Sequence, residues 1–293
     1  MSNREREGRS PWVSGILWIL AVGIMFSAAA YQEKTGPTKE FTGAFQLGGE
    51  TYEYALNRSG NTDAEAPILV PYPGEGVTGR LIFKRYPTED PFTSVVLEPL
   101  GGEFQALLPV QPAAGKLEYY VLLDTPEGTI RIPEGEETLI IRYKDPVPLG
   151  FLVPHVIFMF LALLIGVRTA LGAFFQPQGV RRLAWTTLAL MTLGGMILGP
   201  IVQKYAFGAF WTGWPFGYDL TDNKTLIMWI VWVGVALLLW KRPNPRDWLV
   251  RTGIVLAAAT MLTVYVIPHS LQGSEFNYEE MEMGTGGPGH APG

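Results

Sequence analysis

The sequence predicts an α+β membrane protein: an N-terminal membrane anchor or signal peptide, an exported all-β sandwich domain, and a C-terminal four-helix transmembrane domain. Three observations predict it. Apolar residues gather in blocks at 13–30, 149–174, 183–202, 226–240 and 248–267, each about long enough for a span, which takes roughly 20 helical residues. Between the first two blocks the pattern changes to short alternating runs punctuated by Gly, Pro and Asn, as strands and turns require. The basic clusters at 4–9, 181–182 and 241–251 all fall on one side of a five-span chain, which is the bias of cytoplasmic flanks.

Residues 1–31 hold Arg4, Arg6 and Arg9 ahead of the first apolar run, so the N-terminus is expected inside and the span at the cell (inner) membrane. The run ends in small residues, Ser27 to Ala30, which leaves a cleaved signal peptide open beside a retained anchor. Its length exceeds an h-region of about 7 to 15 residues and favours retention. On either reading the segment after this run is exported.

Residues 38–146 are expected to form the β-sandwich. Runs at 51–56, 67–70, 77–86, 93–97, 103–110, 116–124, 128–132 and 138–143 alternate apolar and polar residues, with turn formers such as 57–61 and Gly101-Gly102 between them. Such alternation buries one face of a sheet. The domain has no His, and its carboxylates read as a solvated surface. A tethered module that binds other membrane or exported proteins is the expectation.

A stiff Asp145-Pro146-Val147-Pro148 linker leads into four spans over 149–269. His155 falls near the outer end of the second span, and Arg168 near its inner end, where a long side chain snorkels to the headgroups. The external loop at 203–225 carries two Trp, two Tyr, three Phe and two Asp. His269 ends the last span, and 270–293, without Lys or Arg and rich in Gly and Pro, is expected to be a flexible exported tail.

The lack of any Cys excludes disulfides, thiolate metal sites, a thiol nucleophile and covalent heme attachment through thioethers. No basic stripe suits nucleic acid. The chemistry that remains centres on the aromatic loop. His155 and His269 flank it at one membrane face, and two imidazoles from different helices can ligate a heme b iron, with Trp211, Trp214, Tyr218 and Asp219 as a shelf. Plainer readings stand beside this one. Asp219, Thr221 or Asp222 can cap the following helix, Trp211 and Trp214 can anchor the interface, and a lone interfacial His is usually structural. Two His without a third ligand make a poor zinc site. Met281 and Met283 could hold a soft metal, but an acidic tail explains them more simply.

Residues 208–219, together with Leu226, Trp229 and Trp232, resemble the tryptophan-rich WWD segment of heme-handling cytochrome c assembly proteins of the cytochrome c synthetase type. His155 and His269 are similar to that family's flanking external histidines. The resemblance implies that heme is held at these residues for delivery to apocytochrome c. Tyr218 stands where the family has Trp, the spans are fewer, and a separate exported β domain is not its usual arrangement. The competing expectation is a non-catalytic subunit of a larger membrane complex, with the lipid bilayer and membrane proteins as its partners. A lipid or quinone enzyme rests only on Asp219, Asp222 and tyrosines such as Tyr205, Tyr218 and Tyr265.

Overall fold

The computed structural model describes residues 11–36, 38–267 and 275–284. Arg4, Arg6, Arg9, His269, His290 and most of the tail lie outside the described residues. The helices are α1 (Pro11–Thr35), α2 (Leu149–Phe175), α3 (Val180–Met191), α4 (Gly199–Phe207), α5 (Leu220–Lys241) and α6 (Trp248–Val266). A π-helical segment, Thr192–Leu198, joins α3 to α4, so Pro177–Phe207 acts as one long apolar rod. Among the described residues five helices are long and apolar enough to cross a membrane, and this marks a membrane protein.

Small residues set how closely these helices approach. A Cβ on Gly194 would sit 2.9 Å from Phe158 Cβ of α2, and one on Gly195 would sit 2.9 Å from Thr225 Cγ2 of α5. The π segment is therefore wedged between its two neighbours. Deeper in the bundle the fully buried Trp232 shares a core with Ala162, Val167, Ile254 and Met261. Removing an indole from such a site costs about 3–5 kcal/mol.

The β domain contains β1 (Phe41–Leu47), β2 (Glu50–Leu56), β3 (Ser59–Asn61), β4 (Ala66–Pro71), β5 (Thr78–Tyr86), β6 (Thr93–Leu100), β7 (Glu103–Leu108), β8 (Lys116–Thr125), β9 (Gly128–Ile132) and β10 (Leu139–Lys144). Strands β1 and β2 form a hairpin, and the others pair in the order β3-β10-β8-β5-β6-β7-β4, with β9 on β8. β6 pairs with β5 through residues 93–97 and with β7 through 98–100. β6 is thus shared by the two halves of a near-barrel, β-rich domain. Along β8 every second residue, Leu117, Tyr119, Val121 and Leu123, enters the single core with Ile68, Phe104 and Ile141, as the two-residue period of a strand dictates.

Three expectations change at this level. Residues 59–61, assigned to a turn, pair with β10 in parallel. Arg168 does not snorkel: it is 4% exposed, donates to Gln176 Oε1 at 2.8 Å and to Ser14 Oγ at 3.4 Å, and lies over the Trp18 ring. Helix α1 covers it before it can reach a surface. The described part of the tail is a hairpin of β11 (Glu275–Asn277) and β12 (Glu282–Gly284), with Phe276 N–H donating to Ala114 O of the β domain.

Candidate functional site

The aromatic loop is shorter than the sequence suggests, because α4 extends to Phe207 and α5 begins at Leu220. Gly208, with φ of 86°, closes α4 in the left-handed region that glycine adopts without penalty. Asp219 opens α5 as its N-cap: Oδ1 accepts from Thr221 N at 2.8 Å and from Asp222 N at 3.1 Å. The capping reading of Asp219 is thus the one its geometry supports.

Asp222 holds the loop together. Its Oδ2 accepts from Thr212 N at 2.6 Å, Gly213 N at 3.0 Å, Gln203 Nε2 at 3.1 Å and Thr212 Oγ1 at 3.3 Å. Gln203 Nε2 also donates to Thr212 Oγ1 at 2.8 Å, and Asn223 Oδ1 accepts from Trp214 N at 2.7 Å. A buried carboxylate is costly unless its lone pairs are filled, and here four donors fill one oxygen. Gly213 is required at its position, since a Cβ would stand 2.5 Å from Asp222 Cβ. Sequence reasoning named Asp222 as a possible cap or as a carboxylate of a lipid or quinone enzyme, not as the acceptor that holds the loop. The nearby Thr212-Gly213 pair was the available signal, because a glycine lets backbone amides close on a side chain.

Around this polar knot the apolar side chains point outward. Trp214, Phe216 and Tyr218 are 67%, 73% and 68% exposed, with Phe210 beside them, while Trp211 is half-buried and donates from Nε1 to Trp214 O at 3.0 Å. The knot fixes the backbone from which this crown projects.

His155 lies within α2, where Nδ1 is 2.8 Å from Gly194 O, the carbonyl that also takes the π-helical bond from Gly199 N. A carbonyl only accepts, so Nδ1 carries the proton and a neutral ring turns an unprotonated Nε2 outward from that bond. Nearby, the rings of Phe151 and Tyr205 stack at 5.4 Å and bring the start of α2 to the end of α4. The expected partner of His155, His269, lies outside the described residues. Among the described residues no group of three or more His, Asp or Glu is placed to hold a metal ion.

The β domain is fastened to this end of the bundle. Asp145 N donates to Ala206 O at 3.0 Å, capping a carbonyl in the last turn of α4, and the Arg142 guanidinium sits 4.2 Å from the Phe207 ring centroid. Thr62 Oγ1 bonds the Asp145 carboxylate. Burial pushes the Arg142 pKa down, while Asp219 in the loop and then Glu275 in the tail hold it up. One arginine thereby feels both the loop and the tail.

The tail hairpin is the feature that sequence reasoning missed. Lys116, 4% exposed, pairs with Glu275, and burial pushes the ammonium pKa down against the opposing pull of that carboxylate. The Tyr278 hydroxyl lies 3.0 Å from Lys116 N, Lys116 O and Gln111 Oε1. Beside it a cavity of about 360 Å³ is lined by Phe83, Lys84, Arg85, Asp90, Gln111 and Leu117.

No family model, curated protein or solved structure matches this chain.

Proposed function

We propose that the chain is a membrane-tethered, non-catalytic binding subunit, with its β domain and aromatic loop on the exported side and its basic turns in the cytoplasm. The observation that carries this reading is the mount of the β domain on the bundle. Asp145 N reaches Ala206 O, and Arg142 lies over Phe207, immediately beside the loop whose aromatic residues project outward. A spacer has no need of such a fixed attachment, whereas a receptor for another protein gains affinity when its surfaces are preorganised. The partners in this reading are membrane or exported proteins.

Two experiments test it. Because the chain has no Cys, single cysteines introduced at Glu127 and Arg181 are labelled without background. An impermeant maleimide applied to intact cells is expected to reach the first and not the second, and the reverse result overturns the orientation. A photo-crosslinking residue at Phe216 is expected to give one discrete, stoichiometric adduct in native membranes. Lipid adducts alone would reduce the crown to an interfacial anchor.

One observation favours heme handling as the second reading. His155 Nδ1 is bonded to Gly194 O, which in a neutral ring leaves the lone pair on Nε2, and a carbonyl partner on the other ring nitrogen is how ligating imidazoles are usually oriented. The residues fit a heme at that one position. His155 and His269 would hold the iron, and Trp211, Trp214, Tyr218 and Asp219 would surround the group. Bound there, heme b would supply iron redox chemistry or cargo for apocytochrome c. An oxidised-minus-reduced spectrum of the purified protein after heme supplementation tests it. A near-stoichiometric low-spin Soret band that His155→Ala converts to high spin supports ligation, and no band removes the reading.

A further inference from the structure

We infer that the β domain carries a peptide-recognition site for a short extended segment with a carboxylate three residues before a tyrosine, and that Glu275–Tyr278 fills this site in cis. The inference rests on the binding-subunit reading and names the class of partner that would dock there.

Each feature of the segment has a dedicated reader. Lys116 takes the Glu275 carboxylate, and Ala114 O accepts from the backbone N–H of Phe276 at 3.3 Å. The Tyr278 hydroxyl accepts from Lys116 N–H and has Lys116 O and Gln111 Oε1 as acceptors for its own proton, all at 3.0 Å. The Arg85 guanidinium lies 5.1 Å from the Tyr278 ring centroid. Phenylalanine would satisfy the ring contact but not the amide, so the site distinguishes the two. Gly115 is what admits the phenol, since a Cβ there would stand 2.9 Å from the Tyr278 oxygen.

The readers are positioned by the β domain itself. Gly115 N donates to Pro112 O at 2.8 Å, Tyr143 N to Gly115 O at 2.9 Å and Ala114 N to Tyr143 O at 3.0 Å. None of these bonds involves the tail. The backbone at 114–115 is therefore set without the segment, as is Gln111, whose Nε2 donates to Val110 O at 2.9 Å and Pro109 O at 3.2 Å, and the contacts that hold the segment are few and polar, so they can be exchanged. Lys116 and Arg142 give the site positive charge, while Arg85 is already paired with Asp90; this suits the acidic stretch that includes Glu275, Glu279 and Glu280.

Only residues 268–274 separate the segment from the residues at the end of α6. A tether of that length gives a local concentration on the order of 1 mM, so a segment with an intrinsic Kd of about 10 μM would hold its site against a free competitor by roughly 100-fold.

The test uses the full-length protein in nanodiscs and a fluorescein-labelled synthetic peptide, Glu-Phe-Asn-Tyr-Glu-Glu-Met, matching residues 275–281. Anisotropy is expected to show weak capture by the native chain and capture at least tenfold tighter by Tyr278→Ala, whose own tail no longer competes. Adding Lys116→Gln or, separately, Arg85→Ala to that variant is expected to return binding to the weak level. A peptide with Phe in place of its Tyr is expected to bind less well than the native peptide. Equal affinity for the native chain and Tyr278→Ala overturns the inference, as does tight binding that survives both second substitutions. Peptide capture without any protein crosslink from Phe216 upholds the site and sinks the subunit reading. A protein crosslink without peptide capture does the reverse.

Discussion

Asp222 and Lys116 are both buried ionisable groups, and they are satisfied in opposite ways. Asp222 is met by neutral donors from Gln203, Thr212 and Gly213, all within 19 residues of it. Lys116 is met by a charged partner, Glu275, 159 residues away. The first arrangement closes as soon as α4 and α5 stand side by side, and nothing outside that hairpin can replace it. The second closes only when the chain end returns, and any carboxylate of suitable geometry can take the place of Glu275. The contrast separates a structural device from an exchangeable one.

Breaking the first should cost most. Asp222→Ala takes the acceptor from two buried amides, Thr212 N and Gly213 N, while Gln203 keeps its bond to Thr212 Oγ1, and unsatisfied buried groups cost roughly 1–3 kcal/mol each. A loss of about 3 kcal/mol, read as a lower thermal midpoint in detergent with new protease cleavage between Gly208 and Tyr218, is expected from that cost. An unchanged midpoint would mean that water replaces the carboxylate. Gly213→Ala is expected to cost about 1–3 kcal/mol, because its Cβ meets Asp222 and Asn223 and overpacking carries that penalty. The loop should loosen while the β domain keeps its own unfolding midpoint.

The exchangeable device should yield smaller, local effects. Tyr278→Phe is expected to weaken tail docking by about 1 kcal/mol, the worth of one ordinary hydrogen bond. Hydrogen exchange at Phe276 N–H would rise, and melting of the bundle would stay the same. The effect of pH is smaller still near neutrality and grows at high alkalinity. Burial pushes the Tyr278 phenol up to about 12 from 10.0, against the pull of its bond with Lys116 and of Arg85. A free tail ionises first, so the contribution of the neutral phenol is whole below pH 10 and is lost as pH rises through about 12. Lys116 acts earlier and with the opposite sign: its docked pKa is lowered from 10.5, so rising pH first relieves the cost of burying its charge. Tyrosinate absorbance of the native chain minus Tyr278→Phe should show a single late step. A step at the ordinary value would mean that the phenol is not buried.

The same contrast explains what the sequence could disclose. Strands such as β5 and β8 were legible because their alternation is written in adjacent residues, and the Asp219 cap was legible because its donors lie two and three residues on. β3 was not, since Ser-Gly-Asn reads as a turn and only the distant β10 makes it a strand. The aromatic loop stood out by composition, yet its acceptor, Asp222, did not, because the donors come from the opposite side of a helical hairpin. Arg168 misled for a related reason: its length suits snorkelling, and the placement of Gln176 and of Trp18 and Ser14 on α1 keeps it inside. The tail was least legible, since its composition favours solvent and its partners lie about 160 residues upstream.

The bond from Asp145 N to Ala206 O gives the molecule a lever. Residues 145–148 run from β10 into α2, and the same junction grips the end of α4. A pull on the near-barrel is therefore delivered to α2 and α4 together, and lengthening residues 145–148 by one residue, about 3.3 Å of extended chain, would put slack into that linkage without touching either domain's core.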